Sequence, residues 1–187
     1  MIKILTMKTK SLSIALILSL SLIFMGCEKF KDAADVTFDS TFSTELDFDV
    51  TEGSKNTKDG GAFNETAAID MTTVELFNDY KELLQSATTK AITFTVTSIS
   101  EDAVNLTDVV ISISNNGAGI INYPYGNITI STGDSFTIEE SQLDLLNEVI
   151  LAAQGMTVEV SGYSDVAPVQ FTWTATIDAE IVANPLQ

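Results

Sequence analysis

Histidine and arginine are missing from this chain altogether, and cysteine occurs once, as Cys27. Without His, the usual Ser-His-Asp and Cys-His catalytic arrangements cannot be assembled. Zinc sites built on His and Cys are excluded for the same reason. One thiol cannot form an intrachain disulfide, so cysteine pairing says nothing about the compartment. Positive charge is scarce: 9 Lys stand against 26 Asp and Glu, a formal net charge of −17. Lys3, Lys8 and Lys10 lie at the very start, which leaves Lys29, Lys31, Lys55, Lys58, Lys81 and Lys90 for the rest of the chain. Nucleic-acid binding needs clustered Lys and Arg to displace counterions from phosphates. So acidic a surface repels polyanions, and no nucleic-acid partner is expected. The acidity itself reads first as solubility through self-repulsion.

What is present begins at the N-terminus. Lys3, Lys8 and Lys10 form a positive segment, followed by an apolar run with small serines from Leu12 to Met25. A spanning helix needs about 20 apolar residues, and this shorter run suits the middle region of a secretory signal. Met7 serves as well as Met1 for a start, since Met7-Lys8-Thr9-Lys10 is a complete basic segment by itself.

The run ends Ile23-Phe24-Met25-Gly26-Cys27. This resembles the lipobox of bacterial lipoproteins, in which a small residue precedes the cysteine. Phe24 and Met25 are bulkier than the Leu and the Ala or Ser usual there. The resemblance implies diacylglycerol on the Cys27 thiol, cleavage by signal peptidase II before Cys27, and often acylation of the new amine. Two or three acyl chains, at about 0.8 kcal/mol per buried methylene, suffice for stable anchoring. Glu28 stands where Asp would retain a lipoprotein in the inner membrane, so the outer membrane is expected, with the domain facing the periplasm or the surface. The loose lipobox and the Asp/Thr/Ser-rich remainder resemble small outer-membrane lipoproteins of Bacteroidota. Asp39-Ser40-Thr41 also resembles an O-glycan acceptor motif of that phylum.

Residues 1–26 are therefore read as a signal peptide, 27–35 as a charged, lipidated tether and 36–187 as one domain. Phe38, Phe42, Leu46, Phe48 and Val50 share one parity, and Asp39, Thr41, Ser43, Glu45, Asp47 and Asp49 take the other. Period-two alternation marks a half-buried strand. Ser40 and Thr44 interrupt its apolar face, which suggests a bulge or a split into two strands. A polar loop spans 51–61, and extended character resumes at Phe63–Met71. Thr72 and Glu75 match a capping box, and Phe77, Tyr80 and Leu84 recur at helical spacing, predicting an amphipathic helix over 73–86. Ser141 and Asp144 suit caps of a second helix, which Gly155 would stop. Strands are expected around Ala91–Ser100, Val109–Ile113, Ile128–Ile130, Phe136–Ile138, Met156–Val160 and Phe171–Ile181. Many have a Thr-rich polar face, as antiparallel sheets with one solvated side do. The expected fold is mainly β: an antiparallel two-sheet sandwich with two short helices, with immunoglobulin-like connectivity as one candidate.

Carboxylates are the remaining catalytic currency, but Glu45, Asp47, Asp49, Glu139, Glu140 and Asp144 are too many to single out a glycosidase pair. Asp47 and Asp49 read as a solvated strand face, and the chain is not expected to be an enzyme. No cofactor is expected; Asp59-Gly60-Gly61 and Asn115-Asn116-Gly117 offer oxygens for structural calcium, though turn chemistry explains both. Tyr123-Pro124-Tyr125 reads as a stiff aromatic loop, and Tyr163 as a third ring that joins it in a ligand site. The alternative is that the two rings cover one end of the sandwich. Two functions fit: a lipid-anchored envelope module that binds a glycan or a protein, and an accessory subunit of an outer-membrane complex.

Overall fold

A computed structural model describes residues 35–51, 60–115, 118–138, 140–153 and 155–186. Cys27, nearly all of the tether, Asp59, Asn116, Gly117 and Glu139 lie outside the described residues. Thr37–Ala183 forms one compact unit. Of the other unit, the described C-terminal residues form a local turn in which the Leu186 N–H donates to Asn184 Oδ1 at 2.9 Å.

Eight strands are present among the described residues: β1 Val36–Val50, β2 Gly61–Ile69, β3 Leu84–Ile99, β4 Val104–Asn115, β5 Ala118–Ile130, β6 Ser135–Thr137, β7 Met156–Ser164 and β8 Val169–Ala183. They form two four-stranded sheets, ordered β1-β8-β3-β6 and β2-β7-β4-β5. The expected sandwich is there. Its connectivity is that of an eight-stranded jelly roll. In immunoglobulin connectivity the first two strands are sheet neighbours; here β1 and β2 lie in different sheets.

Alternation explains the layers. In β8 every second side chain from Val169 to Ala183 is buried, and in β1 the same holds for Phe38, Ser40, Phe42, Leu46, Phe48 and Val50. β1 is one unbroken strand, so the expected split at Ser40 and Thr44 does not occur. The Ser40 hydroxyl is instead buried on the core side without a hydrogen-bond partner. Thr41 Oγ1 donates to Asp178 Oδ1 at 2.6 Å. In the core, Phe48 stacks on Phe171 at 4.5 Å and meets Trp173 at 5.3 Å and Phe63 at 5.4 Å. Phe63 belongs to the other sheet, so these rings join the two layers.

The helices are shorter than expected. The Asp70 carboxylate, not Thr72, caps a single 3-10 turn at Met71–Thr73, accepting from the Thr72 N–H at 2.9 Å. The Thr72 hydroxyl and then its N–H hold the Asp70 carboxyl below the usual carboxylate range. A group lowered in this way stabilises the fold at neutral pH and loses that contribution as the solution is acidified through its pKa. Helix α1 then spans only Glu75–Tyr80. Phe77 packs edge-on against Phe42 at 5.1 Å, so that part of the helical stripe is real. Leu84 is not on it: it opens β3 opposite Ala183, where pairing with β8 overrides the local helical spacing. The second helical segment is a 3-10 stretch, Glu140–Leu146, running into α2, Asn147–Leu151. It buries Leu143, Leu146 and Ile150. Asn147 Oδ1 fastens it to β3, accepting from the Thr89 N–H at 2.8 Å and the Thr89 hydroxyl at 2.9 Å.

Trp173 is fully buried, whereas Thr174 beside it faces outward. Trp173→Ala is expected to cost about 3–5 kcal/mol of unfolding free energy, and Thr174→Ala less than about 0.5 kcal/mol; urea titration measures both. Thr89 is 4% exposed. Asn147→Ala strands its N–H, with an expected loss of about 1–3 kcal/mol in the same titration.

Candidate functional site

The outward residues of β1, β8 and β3 build one polar face. Two hydrogen bonds fix how β1 lies on β8: Thr41 to Asp178, and the Thr172 hydroxyl to Asp47 Oδ1 at 2.8 Å. That register puts Glu45 opposite Thr174. Across β8, Thr174 faces Thr95 and Thr176 faces Thr93. Thr95 continues the row to Ser135 of β6, with the two hydroxyls 2.9 Å apart. The middle of the face is thus an array of hydroxyls, and its charge lies mainly along β1.

At one end of this face is a groove of about 450 Å³, lined by Asp47, Phe48, Asp49, Ser98, Ile99, Ser100, Gln170, Phe171 and Thr172. Its shape comes from β3. The partners of Val96 and Ser98 are consecutive residues of β8, Trp173 and Thr172, so Thr97 is an extra residue at a bulge. Bulges re-aim side chains and bend the strand. Both Thr97 and Ser98 are exposed. Thr97 Oγ1 donates to the Thr172 carbonyl at 3.1 Å. Below it, the Ser100 N–H donates to the Gln170 carbonyl at 2.9 Å, and the Gln170 N–H donates to Ser100 Oγ at 3.0 Å. These bonds hold the groove wall by its backbone. A smaller hollow of about 220 Å³ adjoins it, sharing Asp49, Ser100 and Gln170 and adding Pro168 and Val169.

The opposite end of the face differs in charge. There Lys90 Nζ lies 2.7 Å from Asp39 and 3.1 Å from Glu180. The hydrogen bond to Asp39, then that to Glu180, raises the pKa of this ammonium above the ordinary lysine value. Its contribution is present at neutral pH and disappears only as pH rises through that raised pKa. Lys81 and Lys90 are the only lysines among the described residues, and Lys81 donates to Asn78 Oδ1 at 3.1 Å. No described cation lines the groove. It offers carboxylates, hydroxyls and one amide, a set suited to ligands rich in hydrogen-bond donors.

Tyr123-Pro124-Tyr125 is not a loop. It lies within β5, where Ile111 faces Tyr123 and Val110 faces Pro124. β5 is the outermost strand of its sheet among the described residues, a position that tolerates proline's missing N–H. The two tyrosine rings are 5.9 Å apart, half-buried and turned inward; Tyr125 meets Phe136 at 5.0 Å, and Phe136 meets Trp173 at 4.8 Å. They close the gap between β5 and β6, one at the margin of each sheet. Tyr163, 53% exposed, stands on the outer face of β7. The structure therefore brings Tyr123 and Tyr125 together and leaves Tyr163 on the other side of the sheet. Asp47 and Asp49 do lie on a strand face, but they also line the groove. Ser98, Ser100, Gln170 and Thr172 escaped the sequence reading. The one signal was the loss of alternation at Thr97-Ser98.

No family model matches the chain, and no curated protein matches it. Among solved structures, one of desmodium yellow mottle tymovirus is similar at 11% identity and a TM-score of 0.37, covering 81% of this chain and 91% of that one. A decameric BFDV capsid protein is similar at 4% identity and a TM-score of 0.47, over 78% of this chain and 99% of that one. Turnip yellow mosaic virus gives 10% identity and 0.38, over 81% and 83%. Likenesses this distant say nothing of what the chain does.

Tyr125→Ala is expected to lower stability by about 1–3 kcal/mol, while Tyr163→Ala changes it by less than about 0.5 kcal/mol. Thermal unfolding of the two variants separates a packing ring from an exposed one.

Proposed function

We propose that this chain is a lipid-anchored binding module of the outer membrane, non-enzymatic, that holds a glycan or a protein of the envelope in the groove of Asp47, Asp49, Ser98, Ser100, Gln170 and Thr172. The observation that carries the reading is where that groove lies along β1. The strand begins at Val36, soon after Cys27 in the chain. At roughly 3.3 Å per residue, Asp47 stands about 33 Å along the strand from Thr37. The groove thus lies at the opposite end of β1 from the start of the compact unit, which supports a site left open when the chain is anchored upstream. The lack of His, and a sole Cys already assigned to lipid, support binding over catalysis.

The test has two parts. Expressed in a bacterial host with labelled palmitate, the full chain should partition with membranes and take up label, and Cys27→Ala should do neither. Unchanged partitioning and label in Cys27→Ala would refute the anchor. In a glycan array and an in-cell crosslinking screen, a ligand should be captured by the native chain and lost in Asp47→Asn/Gln170→Ala. Capture that survives this double substitution would refute the groove.

A further inference from the structure

Resting on that reading, we infer that the partner is a protein presenting an extended segment with Lys or Arg at every second position, laid along the outer side of β1. Three observations converge on this strand. The first is charge. Asp39, Glu45, Asp47 and Asp49 of β1 and Asp178 and Glu180 of β8 share one face, and Lys90 is its only described cation. Lys90 is held between Asp39 and Glu180, so it offsets charge at the far end and leaves Glu45, Asp47 and Asp49 uncompensated. Complementary charge steers such encounters and sets their register.

The second is spacing. Residues two apart on a strand are about 6.6 Å apart on the same face. An extended partner has the same repeat, so basic side chains at alternate positions meet Glu45, Asp47 and Asp49 in step. A helical partner or a compact cation does not match this row. The third is position. β1 is the outermost strand of its sheet among the described residues. A segment lying beside it meets the carboxylates from the flank, as cross-strand pairs do. Asp47 and Asp49 line the groove as well as the row, so the segment's basic side chains reach the mouth of the groove along β1.

The experiment uses the full lipidated chain in neutral phosphatidylcholine nanodiscs. The probes are a fluorescein-labelled octapeptide of alternating Lys and Thr, a block octapeptide of four Lys then four Thr, and maltohexaose as a neutral glycan. The alternating peptide should bind at least about fivefold tighter than the block peptide of equal charge. Glu45→Gln/Asp47→Asn/Asp49→Asn should weaken it by at least about tenfold. Glu75→Gln/Asp79→Asn/Glu82→Gln, which removes three charges around α1, should change it by less than about twofold. Binding should also fall as ionic strength rises from about 0.01 M to about 0.15 M. Equal affinity for the two peptides, or equal loss in the two triple variants, overturns the inference. Maltohexaose binding that the β1 triple variant abolishes, without peptide selectivity, overturns it too but leaves the module reading standing. If no probe binds and the crosslinking screen is also empty, both fall.

Discussion

Strand β8 buries every second side chain from Val169 to Ala183, and it lies between β1 and β3. The rest of the sandwich is arranged around that one strand. Its inward row holds Phe171, Trp173 and Ile177, and its outward row holds Gln170, Thr172, Thr174, Thr176, Asp178 and Glu180. The same backbone therefore fixes the core and the polar face. A one-residue slip of β8 against either neighbour would send Trp173 into water and Asp178 into the core. That cost pins the register, and the register is what sets Thr172 beside Asp47 and Ser98. The groove is in this sense a by-product of core packing.

Much of this was legible in the amino-acid order, because a strand with one wet face writes its alternation openly. β1 and β8 could be assigned inward and outward residues by parity alone. Alternation reports which face a residue takes, but not which strand lies alongside. The jelly-roll order, and with it the meeting of Asp47, Ser98 and Gln170, depends on contacts between distant segments and leaves no local trace. Two of the local differences have separate causes. At Leu84 a helical stripe ran on into residues that pair with β8. At Pro124 a residue that usually punctuates a chain sits in an outermost strand, where its missing N–H is tolerated.

The aromatic side chains divide by depth. Phe48, Phe63, Phe171 and Trp173 form a cluster that crosses from one sheet to the other. Phe136 and Tyr125 extend it to the margin, where half-buried tyrosines replace buried phenylalanines. A phenol can keep its oxygen near water while its ring seals the layer. Tyr123 and Tyr125, which sequence alone suggests for recognition, thereby close the sandwich, while Tyr163 stays exposed on the outer face of β7.

β1 also has a mechanical meaning. Its hydrogen bonds to β8 run across the strand direction, as antiparallel ladders do. A pull applied at Thr37 and resisted on β8 at Thr172 acts along the strands, so the ladder between β1 and β8 bears load together in shear rather than opening one bond at a time. A sandwich pulled through the start of β1 and held through β8 is loaded in its strong direction.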